Sequence, residues 1–169
     1  MNEITTKDNL IMLKINEYFF NNELINKMIP IIKGESDISL RLIDWFVTNY
    51  SKKYNILLEQ NQFNIYLNYK KQLKAYTKKQ FDPFCRRFRI NYCYNDRDDN
   101  IITTIGQLNF FRWVIKTKVL DWIINNQNLI EQDMNLSYKK TSFTKKKISK
   151  NVCVANKFNK HKLKITLYF

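Results

Sequence analysis

The spacing of apolar positions changes period several times along the chain, and each change marks an element. Asp8 stands as a helix cap ahead of Leu10, Leu13, Tyr18 and Phe20, which predicts an N-terminal helix. A second short turn runs towards Pro30, where a residue without an N–H is expected to stop a helix. Gly34 to Asp37 makes the break. From Ser39, the residues Leu40, Ile43, Phe46, Val47 and Tyr50 follow steps of three and four and predict an amphipathic helix, with Arg41, Asp44 and Ser51 away from its apolar stripe.

Between 63 and 69 the period falls to two. Phe63, Ile65, Leu67 and Tyr69 alternate with Asn64, Tyr66 and Asn68, the signature of a half-buried strand. The pattern recurs over 88–94, where Phe88, Ile90, Tyr92 and Tyr94 alternate with Arg89, Asn91 and Cys93, ahead of a polar turn from Asn95 to Asn100. The linking stretch 70–80 fits helix or extended chain equally.

The clearest helix begins at Thr104. Thr104 and Gln107 have capping-box spacing, and Ile105, Leu108, Phe111, Ile115, Val119 and Trp122 carry the stripe to about Ile124. Trp45, Trp113 and Trp122 read as core. After the Asn125–Asn126 pair a shorter helix is expected through Leu129 and Ile130 to Met134. The chain then turns Lys-, Ser- and Thr-rich until Leu163, Ile165, Leu167 and Phe169 alternate again. The fold class is therefore α+β: N-terminal helices, a small antiparallel sheet from 63–69, 88–94 and 163–169, and one long amphipathic helix over 104–124. Residues 1–136 are expected to form a single globular domain, with 137–169 a basic tail ending in a strand.

Charge sharpens this outline. The net charge is +14 over 169 residues. Lys, Asn, Ile, Tyr and Phe have AT-rich codons, so part of the lysine excess reflects base composition, and its distribution says more than its total. Residues 70–89 hold eight cations against the single acid Asp82, and 138–169 hold ten lysines and no acid. The rest of the chain has more acids than bases. Two concentrated blocks on a near-neutral chain describe a shaped positive surface.

The first block interleaves Lys70, Lys71, Lys74, Lys78, Lys79, Arg86, Arg87 and Arg89 with Tyr76, Phe81, Phe84 and Phe88. Cations neutralise phosphates and aromatic rings stack on bases, so this is the mixture that nucleic-acid contact requires. A core edge with buried rings and solvated lysines produces the same string. Asn109, Arg112 and Lys116 have the spacing of a groove-reading helix face, which is also that of any solvated face. Lys145, Lys146 and Lys147 centre the lysine tail, which suits a nucleic-acid arm, an import signal, or a docking surface for an acidic protein or anionic lipid.

Other chemistries find less support. Cys85, Cys93, Cys153 and His161 make a Cys3His zinc set arithmetically available, but without the short knuckle spacing. Three cysteines are an odd number and too few for a disulfide scaffold, so they are expected to be reduced in an intracellular protein. One histidine, set in the basic tail, makes triad chemistry a poor expectation. Two glycines cannot build a Walker or dinucleotide loop, and no cofactor is expected. Asp96, Asp98 and Asp99 read as a turn rather than a cation site. The first residues lack the pattern of a secretory leader, and no apolar run approaches the roughly 20 residues of a membrane span.

The segments SLRLIDWFVTNYSKKYNI (39–56), FNIYLNYKKQLKAYTKKQFDPFCRR (63–87) and TTIGQLNFFRW (103–113) resemble a group of small uncharacterised basic proteins of giant nucleocytoplasmic DNA viruses, over most of 39–134. The resemblance implies action in the viral factory of the host cytoplasm or in the virion, and carries over no catalytic residue. Two functions follow as expectations: a nucleic-acid-binding accessory protein of weak sequence preference, or a virion structural component docking on an acidic partner.

Overall fold

The computed structural model describes residues 6–20, 22–58, 63–94 and 99–151. They form an α+β arrangement of helices α1 (Thr6–Tyr18), α2 (Asn22–Lys33), α3 (Leu40–Trp45), α4 (Ser51–Lys53), α5 (Ile65–Ala75), α6 (Ile105–Lys116), α7 (Val119–Asn125) and α8 (Gln127–Asn151). Two short antiparallel pairs complete it: β1 (Leu57–Leu58) with β2 (Phe63–Asn64), and β3 (Ile90–Cys93) with β4 (Asn100–Thr103). The chain divides into two compact units, Met1–Met134 and Asn135–Phe169. The hydrophobic core lies in the first.

The expected three-stranded sheet is not what forms. Over 63–69 only Phe63 and Asn64 are extended, and α5 starts at once. The reason is local: the Asn64 side chain accepts a hydrogen bond from the Leu67 N–H at 2.8 Å, capping a helix in which Ile65 and Tyr69 are buried one turn apart and Leu67 points outward. Alternation at 63–69 was also compatible with this four-residue step. The strand over 88–94 shortens to 90–93, and its partner is 100–103, in the register Ile90 opposite Thr103 and Cys93 opposite Asn100. The expected third strand, 163–169, lies outside the described residues.

The long helix expected over 104–124 is two. Thr104 caps α6 as predicted, its hydroxyl accepting from the Gln107 N–H at 3.1 Å. At Lys118 the backbone enters the left-handed region, φ 58°, and α7 sets off in a new direction. The turn lets Val119, Leu120 and Ile123 be buried on α7 as Leu108, Phe111 and Ile115 are on α6, a step one straight stripe did not require.

Towards the N-terminus, α1 buries Ile11 and Ile15, while the expected stripe residues Leu10, Leu13 and Phe20 are exposed. Pro30 sits inside α2 instead of ending it: burial of Ile29 and Ile31 on either side offsets the missing backbone hydrogen bond. The helix stops at Gly34, whose φ of 77° permits the paired bonds Glu35 N–H to Pro30 carbonyl at 2.8 Å and Gly34 N–H to Ile31 carbonyl at 3.3 Å. Ser39 caps α3 by accepting from the Leu42 N–H. A π-helical turn, Phe46–Tyr50, then carries the expected stripe into the core and on to α4. Ser51, expected away from the apolar stripe, is fully buried and donates to the Val47 carbonyl at 3.1 Å. α8 runs far past Met134, across a stretch with no glycine or proline to stop it.

Two aromatic groups fill the core. Phe81 meets Tyr69, Tyr76, Phe110 and Trp113 at centroid separations of 5.3–6.1 Å. Phe46 stacks on Trp122 at 4.9 Å beside Tyr50. Trp113 is buried, and Trp45 and Trp122 are partly buried against the core. Near the second group, the buried Asp133 carboxylate accepts from Trp45 Nε1 at 3.3 Å, from the Tyr54 hydroxyl at 3.1 Å and from Lys53 Nζ. Burial alone raises this carboxyl; the three donors outweigh it and hold the group below the usual carboxylate range.

Candidate functional site

The segment 70–89 has an inner and an outer layer. Its outer layer begins on α5, where Lys70, Lys71 and Lys74 are exposed within one arc, opposite the buried Ile65 and Tyr69. Lys78 and Lys79 follow in the turn after the helix, and Arg86, Arg87 and Arg89 in the chain leading to β3; all eight cations are exposed. Of these eight, only Arg86 has a carboxylate partner among the described residues, Asp82 at 3.4 Å. That carboxylate also accepts from the Phe84 N–H at 3.0 Å, closing the turn, and the Arg86 guanidinium lies 4.4 Å from the Phe84 ring centroid.

The aromatics of the block divide. Phe81, expected as a stacking platform, is core and out of reach of any base. Tyr76 is half-buried against it. Phe84 is half-buried beneath Arg86, and Phe88 is half exposed. Sequence reading missed a further ring: Tyr66 carries Lys52 and Lys70 over it, at 5.7 and 6.0 Å from its centroid. A tyrosine one turn before Lys70 was the available signal, hidden by placing 63–69 in a strand.

The inner layer is fixed to α6 by polar groups. Asn109 Nδ2 donates to the Gln80 carbonyl at 2.9 Å, and Gln107 Nε2 donates to the Pro83 carbonyl at 2.8 Å. Thr103 donates to Gln107 Oε1, and Gln80 Nε2 reaches Asp8 on α1 at 2.7 Å. Gly106 lets the loop approach: a Cβ there would lie 2.7 Å from the Lys79 carbonyl oxygen. Asn109, expected on a solvated recognition face, is therefore buried at 1% exposure, because the loop needs its amide. Gln107 likewise spends its side chain on the loop rather than on a reciprocal capping bond. Amides within the apolar run 101–115 were the sequence signal for this clamp.

Arg112 and Lys116, the rest of that expected face, line a cleft together with Tyr76. The Arg112 Nη2 donates to Asn109 Oδ1 at 2.8 Å, and its Nε–H is buried without a hydrogen-bond partner. Lys145, Lys146 and Lys147 fall within α8, their side chains outside the described residues. Of the arithmetical zinc set, Cys85 is half-buried and Cys93 exposed, while Cys153 and His161 lie outside the described residues. Among the described residues no three candidate ligands gather to hold a metal ion. No helix of the described residues is long and apolar enough to cross a membrane.

Comparison with known proteins adds lineage. Residues 1–165 match the model of a family of unknown function, DUF7197. An uncharacterised protein of Acanthamoeba polyphaga mimivirus is 40% identical over 167 residues, covering 92% of this chain and 64% of that protein. The chain thus spans slightly under two thirds of the length of the relative it matches. No solved structure matches. With nearly its whole length matched, the chain belongs to the DUF7197 family, a family of unknown function, and it is similar to an uncharacterised viral protein.

Proposed function

We propose that this protein is a nucleic-acid-binding accessory protein that grips phosphate through the outer layer of 70–89, with weak sequence preference and no catalytic role of its own. The observation that carries the reading is the set of eight exposed cations within twenty residues, seven of them without a carboxylate partner among the described residues. Solvated lysines that served only solubility would be interspersed with acids; here the one acid is turned inward on Arg86. The lysines of the 138–169 block are a second phosphate-binding segment on this reading, and in a giant-virus setting the protein acts in the viral factory or the virion.

Fluorescence anisotropy with labelled single- and double-stranded DNA and RNA across a salt series tests this. Sub-micromolar binding near physiological salt is expected. Neutralising about five duplex phosphates gives a log–log salt slope near −4.5. Weak, unselective binding with a shallow slope would end the reading.

A second reading, a structural component docking on an acidic protein, draws on α1, where Leu10 and Leu13 are 56% and 65% exposed, and on Phe20 just beyond it at 90%. Competing nucleic acid would leave such an interface intact.

A further inference from the structure

We propose that the cleft between the β1–β2 pair, α5 and the α6–α7 corner binds a nucleotide, its base against the apolar wall and its phosphate at Arg112 and Lys116. The cleft is open to solvent on one side and offers about 880 Å³, within the usual span of small-molecule sites. Leu57, Leu58 and Phe63 supply one apolar side, and Trp113 and Trp122 offer indole surface. Such walls favour a flat heteroaromatic ring.

Its polar groups suit the rest of a nucleotide. Asn68 Oδ1 is occupied by the Trp113 indole N–H at 2.8 Å, which leaves its amide N–H groups for a ligand. The Gln72 side chain has no hydrogen bond among the described residues and offers both a donor and an acceptor, as base edges require. The charge balance favours an anion. Asp121, the acid of the lining, is held by Lys27 at 3.2 Å. Lys116 is exposed and has no carboxylate partner among the described residues. Arg112 likewise has no carboxylate partner among the described residues, and its guanidinium is oriented at the cleft wall by the Nη2 bond to Asn109 Oδ1.

The site goes beyond the phosphate-gripping surface and does not depend on it. α5 joins the two, with Lys70, Lys71 and Lys74 outward and Gln72 and Asn68 towards the cleft. The nucleotide is either free or the unpaired end of a bound strand.

Tryptophan emission and calorimetry on the full chain separate these sources. Titrants are AMP, GMP, CMP, UMP, inorganic phosphate and a short single-stranded oligonucleotide. Saturable one-to-one binding of a monophosphate with altered emission, weakened about tenfold or more by Lys116→Glu and by Gln72→Leu but unchanged by Lys14→Glu on the exposed face of α1, establishes a free-nucleotide site. Should only the oligonucleotide alter emission, with the same variant pattern, the site takes a strand's unpaired nucleotide. No emission change with any titrant, or wild-type affinity in folded Lys116→Glu and Gln72→Leu proteins, overturns the proposal. Loss of all strand binding with monophosphate binding retained would fail the surface reading alone.

Discussion

Phe81 and Phe88 lie seven residues apart in the same basic segment, yet the fold uses them in opposite ways. Phe81 is 3% exposed among four aromatic partners; Phe88 is 50% exposed just before β3. The division runs through the whole segment: carbonyls of Gln80 and Pro83 are bound to α6, while the cations around them face water. The inner layer holds the fold, and the outer layer is held by it. Stability and ligand binding should therefore respond to different residues of one short stretch.

The largest stability effect is expected at the inner layer. Phe81→Ala removes a ring packed on Tyr69, Phe110 and Trp113 and should cost about 3–5 kcal/mol in chemical denaturation. Phe88→Ala should change stability by less than about 1 kcal/mol. Comparable losses in the two variants would abolish the distinction between layers.

Gly106→Ala comes next. Its Cβ would meet the Lys79 carbonyl oxygen at 2.7 Å, and that atom belongs to backbone fixed by the Asn109 clamp. Without a clash, a Gly→Ala change in a helix, here in the first turn of α6, ordinarily stabilises by up to about 1 kcal/mol. Here the clash should reverse the sign, to a loss of about 1–3 kcal/mol. A melting temperature equal to or above wild type would mean the loop yields freely, and with it the rigid placement of Lys78 and Lys79.

Acid sensitivity sharpens the comparison at a distance from the segment. The Asp133 carboxyl is held below its ordinary value of 3.8, so its contribution is present above that pH and lost as pH falls through the depressed value. Asp44 behaves oppositely: burial raises its carboxyl despite the nearby Arg86, so it takes up a proton first and that step favours the fold. Stability should rise slightly as pH falls towards about 4 and then drop. Asp133→Asn should cost about 1–3 kcal/mol at neutral pH and lose the acid drop, and Asp44→Asn should lose the slight rise. Thermal melts from pH 2 to 7 read both limbs; an unchanged acid limb in Asp133→Asn would rule out the carboxylate as its source.

How legible these layers were in the sequence depends on the range of the deciding interaction. The helix starts at Ser39 and Thr104 are set by side-chain caps within three positions, and both starts were readable, whereas the helix expected to stop at Pro30 runs on to the break at Gly34. Over 63–69 two periods fitted, and a single side-chain bond from Asn64 to the Leu67 N–H decided for helix. The kink at Lys118 has neither glycine nor proline to announce it. The cations of the candidate surface were visible as composition, whereas the bond from Asn109 to Gln80 and the packing of Phe81 on Phe110 and Trp113 join residues 29 or more positions apart. The cleft joins residues from 57 to 125, and no local pattern could assemble it.

The smallest stability effect should come from the outer layer, and that smallness is its signature. Replacing Lys70, Lys71 and Lys74 together by Gln removes no carboxylate pair among the described residues and empties no core space. Each exposed substitution is expected to stay within about 0.5 kcal/mol of wild type. Relief of repulsion among cations on one helix face pushes towards stabilisation, and loss of Lys70 over Tyr66 pushes slightly the other way. The same triple variant should bind nucleic acid tens of times more weakly, with its salt slope shallower by about 3, since every phosphate that is no longer neutralised takes close to one unit from the slope. A variant that melts like wild type and binds like wild type would take α5 out of the grip and leave Lys78, Lys79 and the arginines of the outer layer, or the lysines of α8, to carry it. One that unfolds would show that these cations belong to the fold after all.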